Sequence, residues 1–384
     1  MRAQEITPMD TTASNAPQAD AASRTASGRI GAMPLMNSLA ETRYRVAQTV
    51  RTAWYLAHYA AIRGRAGGFT RPGEPEFVPS RGRPDRATLR RAFMGLFETD
   101  LANIRNGLYP APRDLDPRAL PGTLARSRDL LRDAREVDRR RKARSGTEVR
   151  ELPDAERFPV YYRQNFHYQS DGWFSADSAA RYDTQVEVLF TGAADAMRRM
   201  ALAVIAQEMK GRDQRMVSLL DLAGGNGRFL ESVMGAFPRL QASLLDLSPA
   251  YTAAARKRLA SWRQVEVIEG AAEAMPLPDA SQDIVVSVYL FHELPPKIRP
   301  LVFAEIARVL KPGGLFVFAD ALQYGDTPAL DGLLETFPEG FHEPYFRSYL
   351  EEDFARLAAA VGLQTEIGPQ AHFLTRVTGY RRTP

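Results

Sequence analysis

The sequence contains no cysteine. That absence removes disulfides, thiolate metal sites, cysteine nucleophiles and covalent attack on pyrimidines. Nor does any apolar run approach the ~18 uncharged residues that a membrane-spanning helix needs. Residues 1–38 lack the apolar stretch of a secretory signal and show no periodicity; rich in Ala, Ser and Thr, they read as a disordered tail. Glu5, Asp10 and Asp20 argue against an organelle transit peptide, which is poor in acids. A cytoplasmic protein without a metal centre is expected.

What is present is divided unevenly. Residues 1–150 hold 27 Lys and Arg against 16 Asp and Glu, and the remainder 23 against 30, giving the overall +4. A basic half joined to an acidic one suggests separate tasks, with an anionic partner or a peripheral membrane contact open to the first. Arginine serving simply as the surface cation is the plainer account.

Residues 39–156 read as a helical, basic N-terminal domain. Val46, Val50, Ala53, Trp54, Ala57 and Ala61 recur at helical spacing, a stripe that fits a core-facing helix, with a membrane-surface helix as the alternative. Helices are also expected over residues 85–103 and 123–144. The second ends in Arg139–Arg140–Arg141–Lys142–Ala143–Arg144, a run read as solvated rather than as a phosphate grip. Residues 157–176 form an aromatic linker or lid, from Phe158 to Phe174. From residue 177 to 384 short apolar runs alternate with helical ones, as a parallel α/β sheet requires.

Met216 to Leu220 reads as a buried strand ending at Asp221, followed at once by Gly224, Gly225 and Gly227 and then a helical pattern. Strand, glycine turn and helix N-terminus let backbone approach a ligand closely. Leu230 stands where a dinucleotide fingerprint starting at Gly225 wants its third glycine. Asp221 just ahead of the turn suits a cationic group better than a pyrophosphate. A second strand ends at Asp246, near the ~20-residue offset at which an acid meets ribose hydroxyls. Both acids could instead cap the helices that follow.

The ordered set LLDLAGGNGRF, LLDLS, GAAEAMPLPDASQDIVVS, FHELP and EIARVLKPGG resembles the class I S-adenosylmethionine-dependent methyltransferases. That family includes the ubiquinone/menaquinone biosynthesis methyltransferases. The resemblance covers residues 177–384 and implies a Rossmann-like, seven-stranded α/β domain there, behind the mostly helical N-terminal domain read from the apolar spacing above. It implies S-adenosylmethionine as cofactor, with its methionine part held by Asp221 and the backbone of Ala223, Gly224 and Gly225. Asp246 would take the ribose hydroxyls, Leu247 would lie along the adenine, and Ala271 and Ala272 would line its far side. Ala223 replaces the usual first glycine, and Ala271 replaces the Asp that commonly meets the adenine amino group, leaving that role to backbone or Glu273.

His292, beyond the fourth strand, is the candidate catalytic base; hydrogen bonding near Glu293 would make it structural instead. Tyr182 is expected to fold over the cofactor. A further aromatic insertion, Gln323 to Tyr349, is placed to cover the acceptor, for which a small apolar or aromatic molecule is expected. Two rivals stand beside this reading. A nucleic-acid methyltransferase would grip RNA or DNA with the basic half, but His292–Glu293–Leu294–Pro295–Pro296 lacks the Asn/Asp-Pro-Pro-aromatic element that holds an exocyclic amine. A non-catalytic cofactor-binding partner protein is the other.

Overall fold

In the computed structural model, residues 38–66, 75, 77–112 and 120–384 are described. The tail expected over residues 1–38 therefore lies almost wholly outside them. Seven strands form one sheet in the order β3-β2-β1-β4-β5-β7-β6. These are β1 (Ser218–Leu222), β2 (Gln241–Asp246), β3 (Val265–Glu269), β4 (Gln282–Val288), β5 (Leu310–Ala321), β6 (Leu363–His372) and β7 (Thr375–Arg382). The first five are parallel; β7 runs antiparallel between β5 and β6. This is the expected seven-stranded Rossmann-like architecture.

Both faces are covered, so the central strands are apolar at nearly every position. Leu219, Leu244, Val286 and Val317 point into one buried layer; Leu220, Leu245, Val285 and Phe316 point into the other. The strand expected from Met216 begins at Ser218 instead. Asp213 caps a short turn there, and Met216 is left exposed. The Lys311–Gly314 turn lies inside β5 as a bulge, because Gln282 pairs with Leu310 and Ile284 with Leu315.

The helices of the matching half are α4 (Ala176–Leu189), α5 (Ala194–Glu208), α6 (Arg228–Ala236), α7 (Pro249–Arg258) and α8 (Arg299–Val309). Three more follow, α9 (Asp331–Gly340), α10 (Phe346–Leu350) and α11 (Phe354–Ala359). Residues 177–209 carry a continuous helical pattern in sequence but fold as two helices, α4 and α5. Thr191 and Gly192 take positive φ of 48° and 89° between them. A Cβ at Gly192 would come within 3.3 Å of Arg51 and Tyr55, so the break is also where a third helix crosses.

That helix is α1 (Ser38–Ala66), followed by α2 (Arg86–Arg105) and α3 (Leu120–Ala143). On α1 the apolar stripe is not the buried face. Val46 and Val50 are about half exposed, whereas Tyr44, Ala47, Gln48 and His58 are buried. The polar face wins because it has partners far along the chain. Tyr44 donates to Asp100 of α2 at 2.6 Å, and Asp100 also accepts from Tyr109 at 2.8 Å and from Arg199 of α5 at 2.9 and 2.6 Å. Tyr44, Leu96, Phe97 and Leu101 share one core with Met197 and Met200 of α5. The arginine run on α3 is likewise not wholly solvated. Arg140 and Arg141 are buried and ion-paired to Glu148 and Asp138, each at 2.5 Å.

Candidate active site

The sheet order reverses between β1 and β4, and a ligand crevice forms beyond the carboxyl ends of strands at such a point. β1 delivers Asp221 there and β2 delivers Asp246. The chain then turns through Ala223, Gly224, Gly225, Asn226 and Gly227 into α6. Ala223 adopts φ 56°, a left-handed conformation that explains why glycine is usual at this place and that costs an alanine about 1–2 kcal/mol. Gly224 is required by space. A Cβ there would sit 2.6 Å from Leu244 and 2.7 Å from Asp221 Oδ2.

Neither acid is a helix cap. Ser248 caps α7 through Tyr251, and α6 begins at Gly227 with no side-chain cap. Asp246 instead accepts from Gly225 N at 2.9 Å and Ser248 N at 2.8 Å, which fastens the turn to β2. Burial pushes its carboxyl up to about 6 against those bonds. Both oxygens of Asp221 are buried with no hydrogen-bond partner among the described residues. Burial, then the neighbouring Asp246 charge, pushes the Asp221 carboxyl up to about 8, with Arg198 opposing them. A buried acid without a donor is costly unless a ligand supplies one.

The cleft brings together most of the expected residues: Tyr182, Asp221, Ala223, Gly224, Gly225, Asp246, Leu247 and Ala272 all line it. Ala271 does not, and Gly270 lines it instead. Glu273, the other adenine candidate, accepts from Tyr161 at 2.6 Å. The aromatic segment divides. Tyr161, Tyr162, Phe166 and Trp173 face the cleft, while Tyr168 is buried beside His342. Trp173, Tyr182 and Tyr251 meet edge to face, with ring centroids 5.4 to 5.7 Å apart. Burial raises Tyr182 to about 12, so it is a neutral phenol.

A second cavity of about 370 Å³ adjoins the first beyond β4 and β5. Its walls are mostly apolar, from Tyr59 of α1, Leu89 of α2, Val186 and Leu189 of α4, and Phe337 and Phe341 of the insertion. Sequence patterns gave no hint that α1 and α2 reach this far. Of the insertion's aromatics, Phe341 lines the cavity and Tyr345 does not.

His292 lies in a short turn, Phe291–Glu293, and lines this second cavity. Its Nδ1 is 2.5 Å from Asp320 Oδ1 at the end of β5. Asp320 also accepts the backbone N–H of Phe291 at 2.8 Å and of Ala321 at 2.7 Å. Burial opposes the charged imidazole, but the Asp320 charge and hydrogen bond, then Glu293 and Glu343, raise His292 to about 9. Asp320 was missed in sequence, though Phe318–Ala319–Asp320 repeats the signal that marks Asp221 and Asp246: an apolar strand ending in an acid. Arg198, which lines the same cleft as Asp221 and Asp246, carries no such signal because α5 reads as ordinary helix.

Residues 219–314 match the family described as a methyltransferase domain. Over 162 residues the chain is 29% identical to the ubiquinone/menaquinone biosynthesis C-methyltransferase of Methylobacterium nodulans, covering 41% of this chain and 62% of that protein. It is 33% identical over 139 residues to the demethylmenaquinone methyltransferase of Chlorobaculum tepidum, covering 35% and 53%. It therefore spans less than two thirds of either relative's length. Among solved structures, human N-acetylserotonin methyltransferase in complex with S-adenosylmethionine aligns over 68% of this chain and 70% of that one, at 15% identity and a TM-score of 0.46. By its matched domain, sheet order and relatives, the chain carries a methyltransferase domain of the class I, S-adenosylmethionine-dependent type and resembles the ubiquinone/menaquinone biosynthesis methyltransferases.

Proposed function

We propose that this chain transfers a methyl group from S-adenosylmethionine to a small acceptor with an apolar or aromatic body. The observation that carries the reading is the pair of acids beside the glycine turn, half-buried Asp246 and fully buried Asp221, the latter with both oxygens unpartnered among the described residues. When bound, the cofactor supplies a methyl already activated on a sulfonium. The residues' task is then to hold and orient.

Asp221 takes the α-amino group and Asp246 the ribose hydroxyls. The backbone of Ala223, Gly224 and Gly225 approaches the methionine part, Leu247 and Ala272 flank the adenine, and Tyr182 closes the cleft. Ala271 contributes through its place in the Gly270–Ala272 turn. The apolar second cavity excludes water and favours an acceptor that buries hydrocarbon. Proton handling on the acceptor side belongs to the Asp320–His292 pair and the groups about it. Against a nucleic-acid grip, Arg140 and Arg141 are already ion-paired, and against a purely structural role the cleft opens on a second, mostly apolar cavity.

Calorimetry with S-adenosylmethionine and its demethylated product tests the cofactor site. Asp246→Ala should weaken both by about a hundredfold, since two charge-assisted hydrogen bonds of ~1.5 kcal/mol each are lost. Unchanged affinity in a folded variant would sink the assignment. Asp221 adds a proton signature. Raised to about 8, it is largely protonated at pH 7 and ionises when a cation arrives. Binding at pH 7 should therefore release a proton, and affinity should climb with pH until about 8. Titrations in buffers of different ionisation enthalpy read this directly, and Asp221→Asn should abolish it.

A further inference from the structure

The two cavities meet at a seam, and among the described residues only three line both: Tyr182, Tyr289 and Glu293. A group that takes a proton from an acceptor lying against the cofactor must reach this seam. Burial raises both phenols, so neither accepts a proton near neutrality. Glu293 remains.

His292, by contrast, lines only the acceptor cavity, and its Nδ1 is taken by Asp320. Asp320 already accepts two backbone N–H groups, so it is an acceptor toward the imidazole and Nδ1 is the donor. The free nitrogen, Nε2, lies 3.9 Å from Glu293 Oε1. His167 Nε2 lies 4.0 Å from the same oxygen. One carboxylate oxygen thus sits between two imidazoles at the point where the cavities join.

We propose that Glu293 is the catalytic residue that takes the acceptor's proton, with His292 behind it as a positioning residue. The inference rests on the methyl-transfer reading. In the step, the acceptor's X–H bond breaks and its electron pair stays on X to bond the methyl carbon. The pair of the broken methyl–sulfur bond stays on sulfur, and the proton passes to Glu293. The surroundings suit this. Burial raises the Glu293 carboxyl, His292 opposes, and Glu343 of the insertion, Asp320 of β5 and Asp246 of β2 raise it further. Tyr162, His167, Tyr182 and Tyr289 are further titratable neighbours, and burial holds His167 neutral by lowering it to about 3. A carboxylate lifted in this way is a stronger base than one in water. The Asp320-held imidazolium keeps it oriented and within reach of neutrality.

The test has two arms. The first needs no acceptor: histidine NMR follows the His292 ring through a pH titration, the signal being assigned by its loss in His292→Asn. Since the Glu293 charge raises His292, Glu293→Gln should lower the His292 midpoint. An unchanged midpoint overturns the contact and the proposal. The second arm follows labelled methyl from S-adenosylmethionine into the organic extract of cells. Wild-type turnover should rise with pH as Glu293 ionises. Glu293→Gln should lose about a hundredfold or more, and lose that rising limb. His292→Asn should keep the limb but move it to higher pH, because the opposing positive charge is gone. A limb that persists in Glu293→Gln, or a loss under tenfold, overturns the proposal. Calorimetry separates the two ideas. A wild type that binds no S-adenosylmethionine, or transfers no label, overturns the methyl-transfer reading and the base with it, whatever the first arm shows.

Discussion

Asp100→Ala is expected to destabilise the protein by about 3–5 kcal/mol, the cost of removing one partner from a buried ion pair. Asp100 is fully buried and takes hydrogen bonds from Tyr44, Tyr109 and the Arg199 guanidinium. Its loss takes from the buried Arg199 guanidinium and two phenols the carboxylate they share, the only one joining α1, α2 and α5 among the described residues. Urea unfolding monitored by circular dichroism reads the change. Asp100→Asn should recover part of the loss, since its amide oxygen still accepts. A midpoint within a few tenths of a molar of wild type would mean that these helices are held by apolar packing alone. Because α1 and α2 wall the second cavity through Tyr59 and Leu89, the same variant should also lose turnover at temperatures where it remains folded.

His292→Ala should lower turnover by about 10²–10⁴ while changing cofactor affinity less than twofold. His292 lines the second cavity and not the cleft at the glycine turn, so on the proposed reading the two effects separate in space. The variant removes the donor to Asp320 as well as the group facing Glu293, and rescue by added imidazole would report on the second alone. A fall in turnover below tenfold makes an acid–base or positioning role untenable and leaves His292 as a strut between β4 and β5.

The parallel sheet was legible because its strands are short, largely apolar runs, several of which bring an acid to the functional rim, as β1, β2 and β5 do with Asp221, Asp246 and Asp320. Asp221 and Asp246 stand out for the same reason. Strand bounds drifted where local chemistry intervened, as at Met216, which Asp213 turns outward. The face of α1 was misread for a deeper reason. Hydrophobic periodicity marks Val46, Val50 and Ala57, yet burial follows Tyr44, Gln48 and His58. Polar groups are buried at low cost only when partnered, and Asp100 lies 56 residues away in sequence. The break at Thr191–Gly192 was hidden likewise, since it answers to a helix that crosses there. The second cavity was the least legible part. Tyr59, Leu89, Leu189, Glu293 and Phe341 carry no common pattern and are joined only by the fold.

The antiparallel placement of β7 bears on how the chain reaches this structure. β5 finds its second neighbour, on the side away from β4, only when residues 375–382 are available, more than fifty positions on, and among the described residues β6 pairs with β7 alone. Meanwhile α2 waits for α5, about a hundred residues downstream, to cover Leu96, Phe97 and Leu101. Loop-closure entropy makes such distant pairings slow to form. During synthesis the growing chain must therefore carry an uncovered helical face at one end and an open sheet edge at the other. Aggregation at that stage competes with folding, so yield on expression should depend on temperature and chaperone supply more steeply than the stability of the finished protein does.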